Sequence, residues 1–378
     1  MTVATSAPLL PTYPRAPVTF VRGEGCRLFD DDGRSFLDFG AGIAVVALGH
    51  CHPAPLAAAQ AQLERLWHAS NLYWTVPMAE LAERLSARFG GARAFFCNSG
   101  TEANEAALKY ARRATGKPGV LALHGSFHGR TAGSLSVTGQ AEKRAPFEPL
   151  LQQVSFARPN DVDSLRAAAT ADTGLVLLEP IQGEGGVRPL DAAFVDAAAA
   201  LARELGALFC LDEVQTGVGR TGSFFAFEQL DVRPDLVSLA KGLGNGLPIG
   251  ALLVADDAPE GFGPGDHGAT FGGNPVACAA ACAVCDTIDD SLLASVRARG
   301  AELAAGLAGL AAVGEVRGAG LLIGAELDRP AASVVDACRG AGLLVLSAGE
   351  RVLRLAPPLT VSEHEVGEAM ATLEEVLG

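Results

Sequence analysis

Lysine is scarce in this chain. There are four lysines, at positions 109, 117, 143 and 241, against 25 arginines. Arginine is evidently the residue used wherever any positive charge will do. Lys241 alone follows a continuous apolar run, Leu236-Val237-Ser238-Leu239-Ala240, and precedes the glycine-rich loop Gly242-Leu243-Gly244-Asn245-Gly246. A guanidinium stays protonated and cannot condense with an aldehyde, whereas a lysine amine can. An aldehyde cofactor carried on Lys241 therefore accounts for both the residue type and its buried setting. A lysine that merely snorkels from a strand end explains the position but not the choice of residue.

A lysine-bound aromatic aldehyde has three further needs. A ring that accepts electrons must keep its pyridine nitrogen protonated, which a buried carboxylate achieves; Asp212, after Ala207-Leu208-Phe209-Cys210-Leu211, is the candidate. A phosphate needs amides and hydroxyls at a helix N-terminus. Ser99, Gly100 and Thr101 stand where the helical run Glu102–Arg112 opens, and Ser99 with Glu102 also has capping-box spacing. Capping alone would explain that motif about as well. The ring needs a stacking partner, and Phe127 in the His124–Arg130 loop supplies an aromatic face.

The elements that must position these residues follow one pattern. Five apolar runs each end in a polar cluster: Ala92–Cys97 before Asn98–Thr101, Pro118–Leu123 before His124–His128, Gly174–Leu178 before Glu179, Ala207–Leu211 before Asp212–Glu213, and Asp235–Ala240 before Lys241. In a doubly wound, mostly parallel α/β sheet those C-terminal ends lie along one crevice, where ligands bind. Helical patterns alternate with the runs. One spans Pro77–Gly90; another spans Glu102–Gly116, with Glu105 and Lys109 four apart and a Gly/Pro stop. Val21–Gly40 reads as a hairpin turning at Asp31-Asp32-Gly33. Past residue 290 come a helix, a strand pair over Glu315–Leu327, a helix over Val334–Gly342 and a final helix. The expected division is a large domain over residues 55–274 and a smaller α+β domain made from residues 1–54 and 275–378.

Composition narrows the function further. A formal net charge of −14 disfavours nucleic acid or an anionic membrane as the main partner. No apolar run is long enough to span a bilayer, and the N-terminus lacks a secretory pattern, so a cytoplasmic protein is expected. Cys278, Cys282 and Cys285 have the spacing of an iron–sulfur motif. They lie four and seven residues apart in an alanine-rich helical stretch, which favours one buried helix face. His50-Cys51-His52 has no evident third ligand, so no metal is expected. Gly217-Val218-Gly219-Arg220-Thr221-Gly222 fits GxGxxG, the signature of a nicotinamide dehydrogenase, but Asp212–Gln215 intervene after the strand and no good helix start follows.

The runs Asn98–Arg112 (NSGTEANEAALKYAR), FHGRT, LEPIQGEGG, LDEVQTGVGRTG, AKGLGNGLPIGA and TFGGNP, in this order, resemble the class III, or ω-amino-acid, aminotransferases of fold type I. The similarity runs from about Tyr13 to the Ala356–Thr360 segment. Within that class, NSGTEANEA with LDEVQTG is most similar to enzymes that move the δ-amino group of N2-acetyl-L-ornithine to 2-oxoglutarate. Ornithine, succinylornithine, carrier-bound lysine and 4-aminobutyrate remain as other donors. The resemblance implies pyridoxal 5'-phosphate on Lys241, with Asp212 at the pyridine nitrogen, Val214 and Phe127 on the two ring faces, and Gln215 near the ring hydroxyl. It implies phosphate binding by Gly100 and Thr101, joined by Thr270 from the second subunit of a homodimer. It implies Arg130 as the grip on the substrate α-carboxylate, and Glu184 with Arg354 as a paired switch. Val46, Asn245 and Ala269 depart from the usual pattern of the class.

Overall fold

The computed structural model describes residues 7–378. The chain opens with an antiparallel meander of β1 (Phe20–Glu24), β2 (Arg27–Asp30) and β3 (Ser35–Asp38). The run read as the first hairpin arm is thus two strands, broken at Gly25, whose φ is +54°. The Asp31-Asp32-Gly33 turn lies between β2 and β3; Asp30 Oδ1 accepts the amides of Asp32 and Arg34, and Gly33 adopts φ +81°.

Seven strands then build the central sheet: β4 (Ala92–Cys97), β5 (Gly119–Leu123), β6 (Val154–Ala157), β7 (Thr173–Leu178), and, after the short hairpin β8 (Ile181–Gln182) and β9 (Arg188–Pro189), β10 (Leu208–Asp212), β11 (Leu236–Leu239) and β12 (Gly250–Ala255). Their spatial order is β4-β12-β11-β10-β7-β5-β6. Every pairing among β11, β10, β7, β5 and β6 is parallel; β12 alone runs against its neighbours. The inner strands β5, β7, β10, β11 and β12 are buried along their whole length. That is why they read as continuous apolar runs rather than as alternating ones. The five strands expected to deliver polar ends all belong to this sheet.

The helix Gly100–Thr115 begins as its sequence dictates. Ser99 Oγ accepts the Glu102 amide, and Gly116 closes the helix in the left-handed region at φ +69°. Glu102 reaches back to the amide of Asn98, one residue before the usual capping-box partner. The Glu105–Lys109 pair does not form. Glu105 instead accepts from Thr131 Oγ1 and from the amides of Gly133 and Ser134, and Lys109 Nζ bonds the Asp266 carbonyl and His267. Fixed backbone donors outcompete an exposed ion pair that contributes little.

The C-terminal region contains a second sheet of β13 (Val313–Ala319), β14 (Leu322–Leu327), β16 (Leu346–Ser347) and β17 (Val352–Leu355), while β15 (Leu343–Leu344) pairs in parallel with β3. The helix Pro275–Thr287 packs on the helices Pro53–Leu63 and Val76–Phe89. Its Cys278, Cys282 and Cys285 are buried on one face, and burial pushes their thiols up to about 12, 11 and 12. Among the described residues, no helix is long and apolar enough to cross a membrane.

The GxGxxG segment is a connector. Arg220 is buried, and its Nη1 donates to the carbonyls of Leu321 and Pro357 while the Leu321 amide returns to the Arg220 carbonyl. A Cβ on Gly219 would stand 2.9 Å from Leu359 Cδ1, and one on Gly222 would stand 2.5 Å from Arg297 Cγ. The glycines serve packing, and no helix follows them to hold a pyrophosphate. Among the described residues Arg220 has no carboxylate partner, and burial pulls its guanidinium down to about 10. Arg220→Met removes the donor for two buried carbonyls and is expected to cost about 2–4 kcal/mol. A urea denaturation midpoint that does not move would show that these bonds carry no net stability.

Candidate active site

A cavity of about 370 Å³ opens where β4, β5, β7, β10 and β11 end. Ser99, Gly100, Thr101, Phe127, Arg130, Asp212, Val214, Gln215 and Lys241 all line it. Glu184 and Arg354 stand one contact behind, through Gln215. Thr270 does not line the cavity and is exposed.

The floor is a buried polar network. Asp212, the last residue of β10, accepts at Oδ2 from Asn104 Nδ2 (2.7 Å) and pairs there with His128 Nδ1 (2.7 Å); Oδ1 accepts the Val214 amide (3.1 Å). Asn104 also donates to the His128 carbonyl and accepts from Ser238 Oγ. Each element of this cluster comes from a different strand end or from the Gly100–Thr115 helix. Asn104 and His128 were not singled out from the sequence. Asn104 did carry a signal, since it falls on the helix face shared by Ala103, Ala107 and Ala111, all buried.

The rim is shaped for close approach. A Cβ on Gly100 would sit 2.7 Å from both γ-carbons of Val214. Only glycine lets the helix N-terminus and Val214 meet there, at the cavity wall that Ser99, Gly100 and Thr101 line. Thr101 Oγ1 hydrogen-bonds Thr131 Oγ1 at 2.9 Å. Arg130 lies with Cζ 5.6 Å from the centroid of the Phe127 ring. Val45, not Val46, faces the cavity; the Val46 side chain lies beside Gly246. Asn245 adopts φ +46°, accepts the Leu48 amide and donates to the Gly49 carbonyl. An asparagine in the glycine-rich loop thus ties it to the segment that carries Val45 and Val46.

Lys241 stands at φ +43°, separated from the end of β11 by one residue, Ala240. The other three lysines each have a protein partner: the Asp266 carbonyl for Lys109, the Leu205 carbonyl for Lys117 and Gln140 for Lys143. Among the described residues Lys241 Nζ has none. Burial holds its ammonium below the ordinary value, opposed by the charge of Glu184 and reinforced by that of Arg354.

Arg354, on β17, donates through Nη1 to Glu184, to the Gly183 carbonyl (3.2 Å) and to Gln215 Oε1 (3.0 Å). Burial would raise the Glu184 carboxyl, but the charge and hydrogen bond of Arg354 win and hold it low. Glu179, at the end of β7, lines the cavity and accepts the amides of Phe127 (2.8 Å) and Gly183 (3.2 Å). Burial pushes its carboxyl up to about 7. Glu213 is also buried; it accepts the amides of Ala226 and Phe227, and burial pushes it up to about 8.

With this geometry in place, the comparisons are direct. Residues 11–377 match the family model for aminotransferase class-III. The acetylornithine aminotransferase of Corynebacterium efficiens is 47% identical over 98% of this chain and 94% of its own length. The crystal structure of N-acetylornithine aminotransferase from Stenotrophomonas maltophilia K279a superposes with a TM-score of 0.83 at 38% identity, covering 96% of each chain. An ornithine aminotransferase of Toxoplasma gondii, with PLP at partial occupancy in its active site, gives 0.92 at 31% identity over 97% of this chain and 91% of that one. The chain belongs to the class III aminotransferases, and its fold is that of their large mixed-sheet α/β architecture.

Glu179 and Glu213 hold protons in the folded protein at a pH where their unfolded forms are ionised. Their burial penalty is absent below about 4.5, grows as pH rises, and is complete above about 7 and 8 respectively. Unfolding at pH 6 therefore releases protons from both. Glu213→Gln should release about one proton fewer per chain, measured as the difference between denaturation heats in buffers of unlike ionisation enthalpy. Equal release by both proteins would mean that Glu213 is ionised in the fold.

Proposed function

We propose that the chain transfers the δ-amino group of N2-acetyl-L-ornithine to 2-oxoglutarate, giving N-acetyl-L-glutamate 5-semialdehyde and L-glutamate, with pyridoxal 5'-phosphate on Lys241. The observation that carries the reading is the state of the cations around the cavity. Lys241 has no protein partner, Arg130 stands unpaired at the rim among the described residues, and Arg354 is neutralised by Glu184.

The residues present fit the cofactor. Gly100 gives up its side chain where a phosphate would meet the helix N-terminus, with the Ser99 and Thr101 hydroxyls beside it. Phe127 and Val214 supply two apolar faces. Asp212, fixed by three donors, can hold a proton on a pyridine nitrogen, and Gln215 can reach a ring hydroxyl. When bound, pyridoxal phosphate supplies an aldehyde carbon and a ring that accepts electrons.

The chain's own groups do the rest. Once released from the cofactor, the lowered Lys241 amine would act as a base, Nζ taking the proton from the donor carbon that bears the amine, and then as the acid that delivers it to the carbon supplied by the cofactor's aldehyde. Arg130 binds the α-carboxylate in a bidentate fork. N2-acetylornithine has one carboxylate, so Glu184 stays on Arg354 and spares the site an unpaired buried charge. 2-Oxoglutarate has two, and the second replaces Glu184 on Arg354. The two substrates take turns, and one site serves both.

Two copies of the chain complete the reading. Thr270 and its neighbour Phe271 are exposed, as are Trp67, Leu72, Tyr73 and Trp74. This apolar belt supports a homodimer in which Thr270 reaches the cofactor phosphate of the other subunit.

A donor panel in single turnover tests the reading. N2-acetylornithine should bleach the visible absorption of the holoenzyme and 2-oxoglutarate should restore it. Faster bleaching by ornithine, succinylornithine or 4-aminobutyrate would move the donor within the class, and no visible band after adding pyridoxal phosphate would overturn the role of Lys241. Glu184→Ala should lower kcat/KM for N2-acetylornithine by about tenfold or more relative to 2-oxoglutarate. Equal losses in both half-reactions would remove Glu184 from substrate exchange.

A further inference from the structure

Glu184 sits at the tip of the β8–β9 hairpin, where Ile181 pairs with Pro189 and Gln182 with Arg188. Both ends of that tip are held by side chains other than that of Glu184. At the first end, the Gly183 amide donates to Glu179 Oε2 at 3.2 Å while its carbonyl accepts from Arg354 at 3.2 Å. A Cβ on Gly183 would stand 2.7 Å from Gln215 Nε2, so this peptide is clamped on three sides. Glu179 also accepts the Phe127 amide through its other oxygen, which joins the hairpin tip to the ring-stacking loop.

At the second end, the Gly186 carbonyl accepts from Arg317 Nε at 2.8 Å. Gly186 has φ +102°, a conformation that only glycine adopts without strain. The Arg317 side chain is nine-tenths buried, and its Nη1 bridges Glu315 Oε2 (2.6 Å) and Glu326 Oε2 (2.7 Å). Those two glutamates lie directly opposite each other across β13 and β14, where like charges repel unless a cation joins them. The guanidinium is therefore fixed from outside and presents Nε to the hairpin. Between the two clamps only the Glu184 side chain is left to move; it is about a quarter exposed and shares Oε1 between Arg354 and Gln215.

We infer that Glu179 and Arg317 are positioning residues for substrate exchange: they fix the two ends of the Gly183–Gly186 tip, so that Glu184 leaves and regains Arg354 by side-chain rotation on a stationary backbone. This rests on the two-substrate reading given above. A tip free to drift would let Glu184 leave Arg354 without a second carboxylate to replace it. The donor with one carboxylate would then meet an unpaired buried guanidinium.

The test uses the holoenzyme, with N2-acetylornithine and 2-oxoglutarate as probes in separate single-turnover half-reactions. Arg317→Met should lower kcat/KM for N2-acetylornithine about fivefold relative to 2-oxoglutarate, mainly through KM. Arg317→Lys, which keeps the charge and one donor, should recover part of that ratio and guards against a Met variant that folds poorly. Glu179→Gln should shift the ratio in the same direction, on top of a loss common to both half-reactions from its bond to Phe127. In a Glu184→Ala background neither substitution should shift the ratio further, since both act through Glu184. A ratio shift that persists in that background, or equal effects on both half-reactions from Arg317→Met, would overturn the inference while leaving the exchange reading intact. A Glu184→Ala variant with an unchanged ratio would overturn both.

Discussion

Asp212 places a carboxylate at the end of a strand that is buried along its whole length, where water cannot stabilise its charge. The protein answers with three donors, from Asn104, His128 and the Val214 amide. The first two come from elements that must stand in register with β10. Asn104 requires the Gly100–Thr115 helix to lie across β10 and β11, and it is locked there by Ser238 on β11. His128 requires the loop after β5 to fold back over β10. Moving any of these by an ångström leaves a buried charge short of a partner, at a cost comparable with much of a domain's net stability. The order of the central sheet is thus tied to one carboxylate, and the cavity is what remains above it.

The charges around that cavity divide into a fixed set and an exchangeable one. Asp212 belongs to the fixed set, with its donors converging from every side. Lys241, Glu184 and Arg354 form the other set, with Arg354 acting on the protonation of both Glu184 and Lys241. Burial disfavours charge on Lys241 and on Glu184, and the ion pair with Arg354 relieves it at Glu184. Among the described residues Lys241 is left with the desolvation cost and no hydrogen bond to offset it. The role proposed for Lys241 thus rests on the fold having withheld a partner, not on one having been added.

One charge from each set was legible in the sequence. Lys241 stood out because lysine is rare, and Asp212 because a charge ended an apolar run. The five strand ends were legible because buried parallel strands leave no polar face to blur the pattern. The partners were less so. Asn104 and His128 are polar residues inside a helix and a loop, where solvent exposure is the usual reason for their presence. Only the sheet order, which no local pattern encodes, brings them to β10. The Glu105–Lys109 spacing misled for the same reason, since tertiary donors displaced a local pair. β1 and β2 read as a single arm because one positive-φ glycine breaks a run without changing its composition.

The hairpin tip shows how an exchangeable charge can sit beside a fixed one without disturbing it. Glu179 belongs to both: its carboxylate lies beside His128 and Asp212 yet accepts the Gly183 amide of the tip. A backbone that followed Glu184 on each exchange would pull on Glu179, and through it on Phe127 and the floor of the cavity. Confining motion to one side chain keeps the ring-binding half of the site in the same geometry for both substrates. That separation suits the proposed exchange, in which the proton transfers at Lys241 would be common to both half-reactions and the substrates would differ in the carboxylate offered to Arg354.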